Sequence, residues 1–195
     1  SIVVPDVVAL RCRVLVEPTN SIFYSMNPTP FAIGYTTVSA CNTYTFSAPI
    51  TIPDGVRSYT TRQIVVPADL GNVTDVDVEV ALSHTYMSDV ELEIISPQNT
   101  TVRLLQRVCG SSRIPLTLKI DDRGNVVDCA NSAFQIITPT DLLSGFNAHN
   151  PAGTWTLRVR DDYPAASGTI SSASVTICTQ KATLGTEQLG IADFK

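Results

Sequence analysis

The chain contains the segments LSHTYMSDVELEIISP at residues 82–97 and NPAGTWTLRVRDD at residues 150–162. Apolar and polar residues alternate in both segments, and each segment also holds a loop with aspartate. Alternation is typical of a strand with one face in a protein core, because successive side chains point to opposite faces of a sheet. Carboxylates at the ends of such strands can converge on a metal ion. The two segments therefore predict half-buried strands joined to acidic loops.

The same alternation extends to other short segments on both sides of these two. In residues 76–82, valines and a leucine occupy one face, whereas Asp77, Glu79 and Ala81 occupy the other. At least seven such segments follow Cys41, and they are separated by Pro, Gly, Asn and Asp. The predicted fold class is therefore all-β, in the form of a β-sandwich preceded by a short hairpin.

Three parts of the chain differ in pattern. Residues 1–36 are expected to be a packed hairpin or the end of a preceding domain. Residues 37–180 hold the sandwich, and residues 181–195 lose the alternation and are expected to be a linker. A single helical turn with Thr140 as its cap is expected within residues 139–145. The strands of the predicted hairpin are residues 7–16 and 21–26.

Composition and charge argue against several classes of protein. The 195 residues have a net charge of −5, and the basic residues are dispersed among acidic ones, which makes nucleic acid an unsuitable partner. No apolar run approaches the about 18 to 20 residues that a membrane-spanning helix needs. Residues 1–16 also lack the charged start and the cleavage pattern of a signal peptide.

The five cysteines lack the close CxxC spacing of a zinc ribbon or a redox dithiol. We expect disulfides formed in an oxidising compartment, and buried thiols are the alternative. Cys109 and Cys129 enclose a short loop, whose closure would contribute roughly 3 kcal/mol. Cys41 and Cys178 flank the patterned region, so a bond between them would join its first strand to its last. Cys12 is then left over, and its partner is expected before residue 1.

Residue types that serve catalysis are scarce. The only histidines are His84 and His149, and neither lies in the HExxH motif of a zinc protease. The GxSxG motif of a serine hydrolase is also absent. No catalytic residue is therefore predicted, and His84 is expected to be a strand-end residue that forms a hydrogen bond beside Tyr86.

Three predicted strand ends carry carboxylates that could bind a metal ion. Asp89 follows a loop, and Asp161 ends a strand. Asp121 and Asp122 end another strand. Oxygen ligands from separate loops suit calcium, which accepts about six to eight oxygens in irregular geometry. The alternative is that these aspartates only accept backbone hydrogen bonds in turns.

Three segments carry a family resemblance: HTYMSDVEL at residues 84–92, ISPQNTT at residues 95–101 and FNAHNPAGTWTLRVRD at residues 146–161. They resemble the P domain, also called the P/Homo B domain. This domain follows the catalytic domain in subtilisin-like proprotein convertases and is appended to many secreted bacterial proteases. The resemblance runs from about Cys41 to Cys178 and implies a jelly-roll-like β-sandwich of about eight strands.

The resemblance implies a domain without catalytic residues that stabilises or tunes an adjacent catalytic domain. Calcium is also implied, and the chain departs from the family pattern near the site. Ile120 stands where Phe is usual, and Arg123 stands where an acidic residue is common; Ala173 replaces a frequent Trp. The implied calcium ligands are Asp89, Asp121, Asp122 and Asp161.

The flanks resemble secreted proteins of the Bacteroidetes type. Residues 189–195 resemble the junction before a C-terminal sorting module, and residues 1–36 resemble the end of an immunoglobulin-like domain. The implied partners are the catalytic domain of a secreted or cell-surface endopeptidase, of the serine or metalloprotease type, and its protein substrate. The alternative function is an adhesion or carbohydrate-binding module, in which Tyr86 and Tyr163 would contact the glycan.

Overall fold

A computed structural model describes residues 9–17, 19, 20, 22, 24–55 and 57–185. The chain divides into two compact units, Ser39–Gln180 and a smaller unit of Ser1–Val38 with Lys181–Lys195. The strands are β1 (Ala9–Cys12), β2 (Leu15–Val16), β3 (Ser25–Met26), β4 (Phe31–Thr45), β5 (Ile50–Ile52), β6 (Thr60–Val66), β7 (Asn72–His84), β8 (Val90–Ile95), β9 (Thr101–Gln106), β10 (Leu116–Asn125), β11 (Phe134–Ile137), β12 (Gly153–Asp161) and β13 (Gly168–Gly185).

The larger unit is a sandwich of two β-sheets. One sheet has the strand order β4-β13-β7-β10-β11, with β5 also paired to β13, and the other has the order β6-β12-β8-β9. Strands β10 and β11 are parallel, whereas β12 is antiparallel to both of its neighbours. The predicted all-β sandwich is confirmed.

In the smaller unit, β1 pairs with β4 and β2 pairs with β3. The hairpin predicted at residues 7–16 and 21–26 is therefore reduced to the short pair β2 and β3. Strand β13 continues to Gly185, five residues into the segment that was expected to be a linker. The family-like junction at residues 189–195 lies outside the described residues. Within the described ranges, no helix is long and apolar enough to cross a membrane.

The core lies between the two sheets and follows the alternation in the sequence. Val76, Val78, Val80 and Leu82 of β7 are buried, as are Trp155, Leu157 and Val159 of β12. Trp155 is fully buried, donates a hydrogen bond of 2.9 Å to the carbonyl oxygen of Pro151, and packs edge-on against Phe146 with ring centroids 5.0 Å apart. The indole therefore fills the core without leaving its N–H unpaired.

Strand β8 is buried on both faces, which the alternation did not predict. Glu91 and Glu93 are each only 5% exposed. Arg160 donates a hydrogen bond of 2.7 Å to Glu91, and Arg158 donates one to Glu93. These pairs explain the difference, because a buried carboxylate is tolerated when a hydrogen-bonded cation neutralises it.

Both predicted disulfides are present in the larger unit. Cys41 of β4 is bonded to Cys178 of β13, and Cys109 is bonded to Cys129. Cys12 belongs to neither bond, and its expected partner before residue 1 remains a prediction.

The predicted helical turn is displaced along the chain. A 3₁₀ turn is formed by Leu143–Phe146, and Thr140 does not cap it. The cap comes instead from a distant residue, because the carboxylate of Asp122 accepts hydrogen bonds from the backbone N–H groups of Leu143 and Ser144. Thr140 was therefore the wrong cap, since a local pattern does not reveal a capping group from another strand.

We expect Gly124→Ala to destabilise the larger unit. A Cβ at this position would overlap the backbone carbon of Ile137, so β10 and β11 would have to move apart. The expected loss in the free energy of unfolding is about 1–3 kcal/mol, measured by urea unfolding. Gly145→Ala is the matched control, because its Cβ would meet only a side-chain atom of Val102 at 3.9 Å. Equal stability of the two variants would contradict the tight β10–β11 contact.

Candidate metal centre

The carboxylate of Asp161 is buried at the end of β12. Its side chain has 0% exposure, and Oδ1 accepts a hydrogen bond of 2.8 Å from the backbone N–H of Tyr163. Oδ2 lies 3.4 Å from Nε2 of His84, and neither of these two atoms has a hydrogen-bond partner in the described residues. Burial raises the pKa of Asp161, and the neighbouring Asp54 and Asp162 raise it further.

His84 occupies the last position of β7 and is also fully buried. Its Nδ1 lies 2.9 Å from the carbonyl oxygen and 3.2 Å from the backbone nitrogen of Tyr86, as expected for a strand-end residue bonded beside this tyrosine. These contacts fix the plane of the ring, so that Nε2 faces Asp161. Gly168 of β13 allows this close packing, because a Cβ there would overlap Cδ2 of His84.

Asp89 lies next to Asp161 across the β8–β12 pair. It ends the 3₁₀ turn Met87–Asp89, and its carbonyl oxygen accepts a hydrogen bond of 2.9 Å from the backbone N–H of Asp162. Burial raises the pKa of the Asp89 carboxyl, and the charge of Asp161 raises it further. Two buried carboxylates that disfavour each other's charge form a place where a cation would be stabilised.

The Asp89–Asp161 pair fits a hard cation in part. In the portion of the chain that the structure describes, no three side chains of Asp, Glu, His or Cys are grouped closely enough to hold a metal ion by themselves. Calcium does not require this, because backbone carbonyls and waters commonly complete its coordination. Oδ2 of Asp161 is one of four buried side-chain atoms that lack a hydrogen-bond partner in the described residues.

Asp121 lies in an ion-pair network. The backbone N–H of Arg123 donates a hydrogen bond of 2.9 Å to Oδ1, and the guanidinium of Arg123 lies 3.1 Å from the same oxygen. Lys119 lies 3.8 Å away and also contacts Asp77 at 2.9 Å. Burial acts to raise the pKa of Asp121, but these cationic partners hold it below its usual value.

Asp122 has a structural role, because its two carboxylate oxygens accept backbone hydrogen bonds of 2.7 and 2.8 Å from the 3₁₀ turn Leu143–Phe146. The register of the sheet also separates Asp121 and Asp122 from His84 and Asp161. Ile120 pairs with Val78, whereas His84 lies six residues further along β7, which is roughly 20 Å. The structure thus brings Asp89 and Asp161 together and places Asp121 and Asp122 toward the other end of the sandwich.

Two residues near the buried pair were missed as site residues. Asp54 accepts hydrogen bonds of 2.7 and 3.3 Å from the backbone N–H groups of Ala165 and Ala166, and it adds negative charge near Asp161. The turn-like sequence of Pro53, Asp54 and Gly55 was the available signal. The sequence predicted a hydrogen bond between His84 and the region of Tyr86. It did not predict the contact of His84 with Asp161, because these residues are far apart in the chain.

A shallow cleft opens beside the acidic pair formed by Asp89 and Asp161. It has a volume of about 370 Å³ and is bordered by Tyr86 and Tyr163, which are 42% and 41% exposed. Asp89 lies on its wall. The glycan contact considered for these tyrosines remains a prediction.

The chain is similar to known proteins in sequence family and in fold. The family model of the proprotein convertase P-domain matches residues 73–177. A crystal structure of the Aeromonas sobria serine protease in complex with the chaperone ORF2 aligns with a TM-score of 0.51 and 19% identity, over 75% of this chain and 27% of that chain. The structure of the Aeromonas sobria serine protease itself aligns with a TM-score of 0.49 and 18% identity, over 74% of this chain and 27% of that chain.

These structural alignments concern the fold, and this chain spans only about a quarter of the length of the proteases that it matches. No curated protein matches the chain. The family match covers more than half of the 195 residues and includes His84, Asp89 and Asp161. The chain therefore belongs to the proprotein convertase P-domain family.

Proposed function

We propose that this chain is the noncatalytic accessory domain of a secreted endopeptidase and that it stabilises or tunes the adjacent catalytic domain. The observation that carries this proposal is the P-domain match over residues 73–177. The buried state of His84 supports a role outside catalysis, because its ring contacts Asp161 and cannot reach a peptide bond in solvent. The two disulfides support a location outside the reducing cytosol.

The second part of the proposal is that Asp89 and Asp161 hold a calcium ion. The ion would supply positive charge between two carboxylates whose pKa values burial has raised. Asp89 adjoins the start of β8, and Asp161 ends β12, so the pair links two neighbouring strands. The ring of His84 packs beside the Asp161 carboxylate, with Nε2 3.4 Å from Oδ2. The calcium ligands proposed from this geometry exclude Asp121 and Asp122, whose oxygens are occupied by Arg123 and by a 3₁₀ turn.

Calcium should stabilise the chain through this pair. At a free concentration 100 times the dissociation constant, we expect the free energy of unfolding to rise by about 2.7 kcal/mol. Asp161→Asn and Asp89→Asn should each remove this increase in a thermal melt with calcium against EDTA. Asp122→Asn is the control and should keep the increase, although it weakens the cap of the 3₁₀ turn. Loss of the response in Asp122→Asn and its retention in Asp161→Asn would disprove the proposed ligands.

Without calcium, the pair should make stability depend on pH. Because the pKa of Asp161 is raised above its ordinary value of 3.8, the folded chain binds protons more readily than the unfolded chain in the interval just above that value. The contribution of this group to the free energy of unfolding therefore falls as pH rises through that interval.

Asp161→Asn should remove this contribution, so in EDTA the variant should gain stability over the wild type as pH rises. Urea unfolding of both proteins from about pH 4 to about pH 7 measures the difference. Titrating groups remote from Asp161, such as Asp121, are shared by the two proteins and cancel in the comparison, so the measured difference reports Asp161 together with Asp89, whose pKa the charge of Asp161 raises. Parallel pH profiles would show that Asp161 is not held in an unfavourable charged state.

The accessory role can be tested in the longer protein that contains this chain. Deletion of residues 39–180 should shorten the half-life of peptidase activity at elevated temperature, because the catalytic domain loses its stabilising neighbour. The chain by itself should hydrolyse no casein, with or without calcium. An unchanged half-life and unchanged substrate preference after the deletion would contradict the role, and casein hydrolysis by the isolated chain would contradict its noncatalytic character.

A further inference from the structure

We propose that a second cleft of the sandwich binds the carboxylates of an acidic peptide segment. This arginine cleft has a volume of about 350 Å³. Its lining is mainly basic, whereas Asp89 and Asp161 are acidic. Peptide binding in this cleft depends neither on calcium nor on the accessory role proposed above. Its lining residues are Arg57, Gln106, Arg107, Arg160, Asp162 and Tyr163.

The charge of the arginine cleft is opposite to that of the chain. Three arginines and one aspartate line it, although the whole chain has a net charge of −5. Among the described residues, no carboxylate lies within 4 Å of the guanidinium of Arg57 or of Arg107, whereas Arg103, Arg123, Arg158 and Arg160 each have a carboxylate partner. The two guanidiniums therefore leave positive charge that an external anion can neutralise.

Arg160 is the fixed wall of the arginine cleft. It donates a hydrogen bond of 2.7 Å to Glu91, lies 2.9 Å from Asp162, and stacks 4.7 Å from the ring centroid of Tyr59. These three contacts hold the guanidinium in one place, so little side-chain entropy would be lost when a ligand binds beside it.

Arg57 and Arg107 occupy backbone conformations that favour glycine. Their φ angles are 53° and 55°, in the left-handed region that residues with a Cβ rarely adopt. Two long cations thus occupy left-handed backbone positions on the same cleft, where a glycine variant would relieve the backbone.

Tyr163 orients one of these cations and remains accessible. Its hydroxyl accepts a hydrogen bond from Nη2 of Arg107, and its ring lies 5.1 Å from the guanidinium carbon. The tyrosine is 41% exposed, so a ligand can reach both the ring and the remaining N–H groups of Arg107. The cleft therefore offers charge-assisted donors next to an apolar surface.

This combination favours a peptide carboxylate over an inorganic anion. Planar guanidiniums bind carboxylates through paired N–H donors. Sulfate and phosphate can use the same donors, but they cannot cover the ring of Tyr163, whereas the backbone or side chains of a peptide can. Three cations and one carboxylate in the lining also suit one or two carboxylates better than a strongly charged polyanion.

The test is a calorimetric titration of the full 195-residue chain with an N-acetylated, C-amidated oligo-aspartate peptide. The matched oligo-asparagine peptide and sodium sulfate are separate arms, and every titration is run in EDTA and again in calcium. Arg57→Gly and Arg107→Gly remove the charge and relieve the left-handed backbone, so neither should lower the melting temperature much. Arg113→Ala is the control, because it removes the same charge from an exposed residue outside the arginine cleft.

We expect the oligo-aspartate to bind in both buffers, more weakly at high salt, and the oligo-asparagine not to bind. Arg57→Gly and Arg107→Gly should each weaken binding about tenfold, and Arg113→Ala should leave it unchanged. An equal loss of peptide affinity in all three variants would mean that binding depends only on the net charge of the chain, which would overturn the proposal. Tight sulfate binding without peptide binding would also overturn it, as would binding that disappears in EDTA. None of these outcomes bears on the accessory role.

Discussion

The pairing of β12 with β8 is the constraint on which the rest of the larger unit depends. Arg158 pairs with Glu93 and Arg160 pairs with Glu91, so one register sets both of these ion pairs on the outer face of this sheet. On the inner face, the same register directs Trp155 and its neighbours into the core. A shift by one residue would exchange the two faces, burying the arginines and exposing the indole. Hydrophobic burial and charge pairing therefore specify the same register.

Burial of the two glutamates has consequences beyond the sheet. Tyr59 stacks on the guanidinium groups of both partner arginines, and burial raises its pKa to about 12, with Glu93 and Glu91 adding to the increase. The phenol therefore stays neutral and remains a suitable face for the two cations. Because Arg160 is held in this stack, it extends toward the arginine cleft as a fixed wall. The charged network thus belongs both to the scaffold and to a surface that can bind an anion.

The two ends of β7 use aspartates for different chemistry. Near its start, Arg123 contacts both Asp75 and Asp121, so the carboxylates there are neutralised by the chain itself. At its end, His84 meets Asp161, whose Oδ2 has no hydrogen-bond partner in the described residues. Arg123 converts this acidic end into a salt-bridge network. At the other end, the ion-pair partner of Asp161 among the described residues is His84 and no arginine or lysine.

The sequence alone determined the class of fold and the inward faces of β7 and β12, and it proposed both disulfide pairings, with buried thiols as the alternative that the structure excluded. These features follow from local alternation and from the spacing of cysteines, because side-chain direction in a strand has a period of two. It also identified Asp89 and Asp161 as candidates, but it could not separate them from Asp121 and Asp122. All four lie at the ends of strand-like segments, and a strand end does not reveal at which end of the sandwich it lies.

Only the tertiary structure decided which charged groups meet. Glu91 and Glu93 are buried because arginines more than 60 residues away reach them, with sequence separations of 69 and 65. Arg57 and Arg107 line one cleft, although Arg57 lies in the loop between β5 and β6 and Arg107 directly follows β9. The physical reason is that strand order and register, which arise from packing of the whole sandwich, set the distances between residues remote in sequence. The local pattern predicts which face of the sheet a side chain occupies, whereas the tertiary structure determines which residue it contacts on that face.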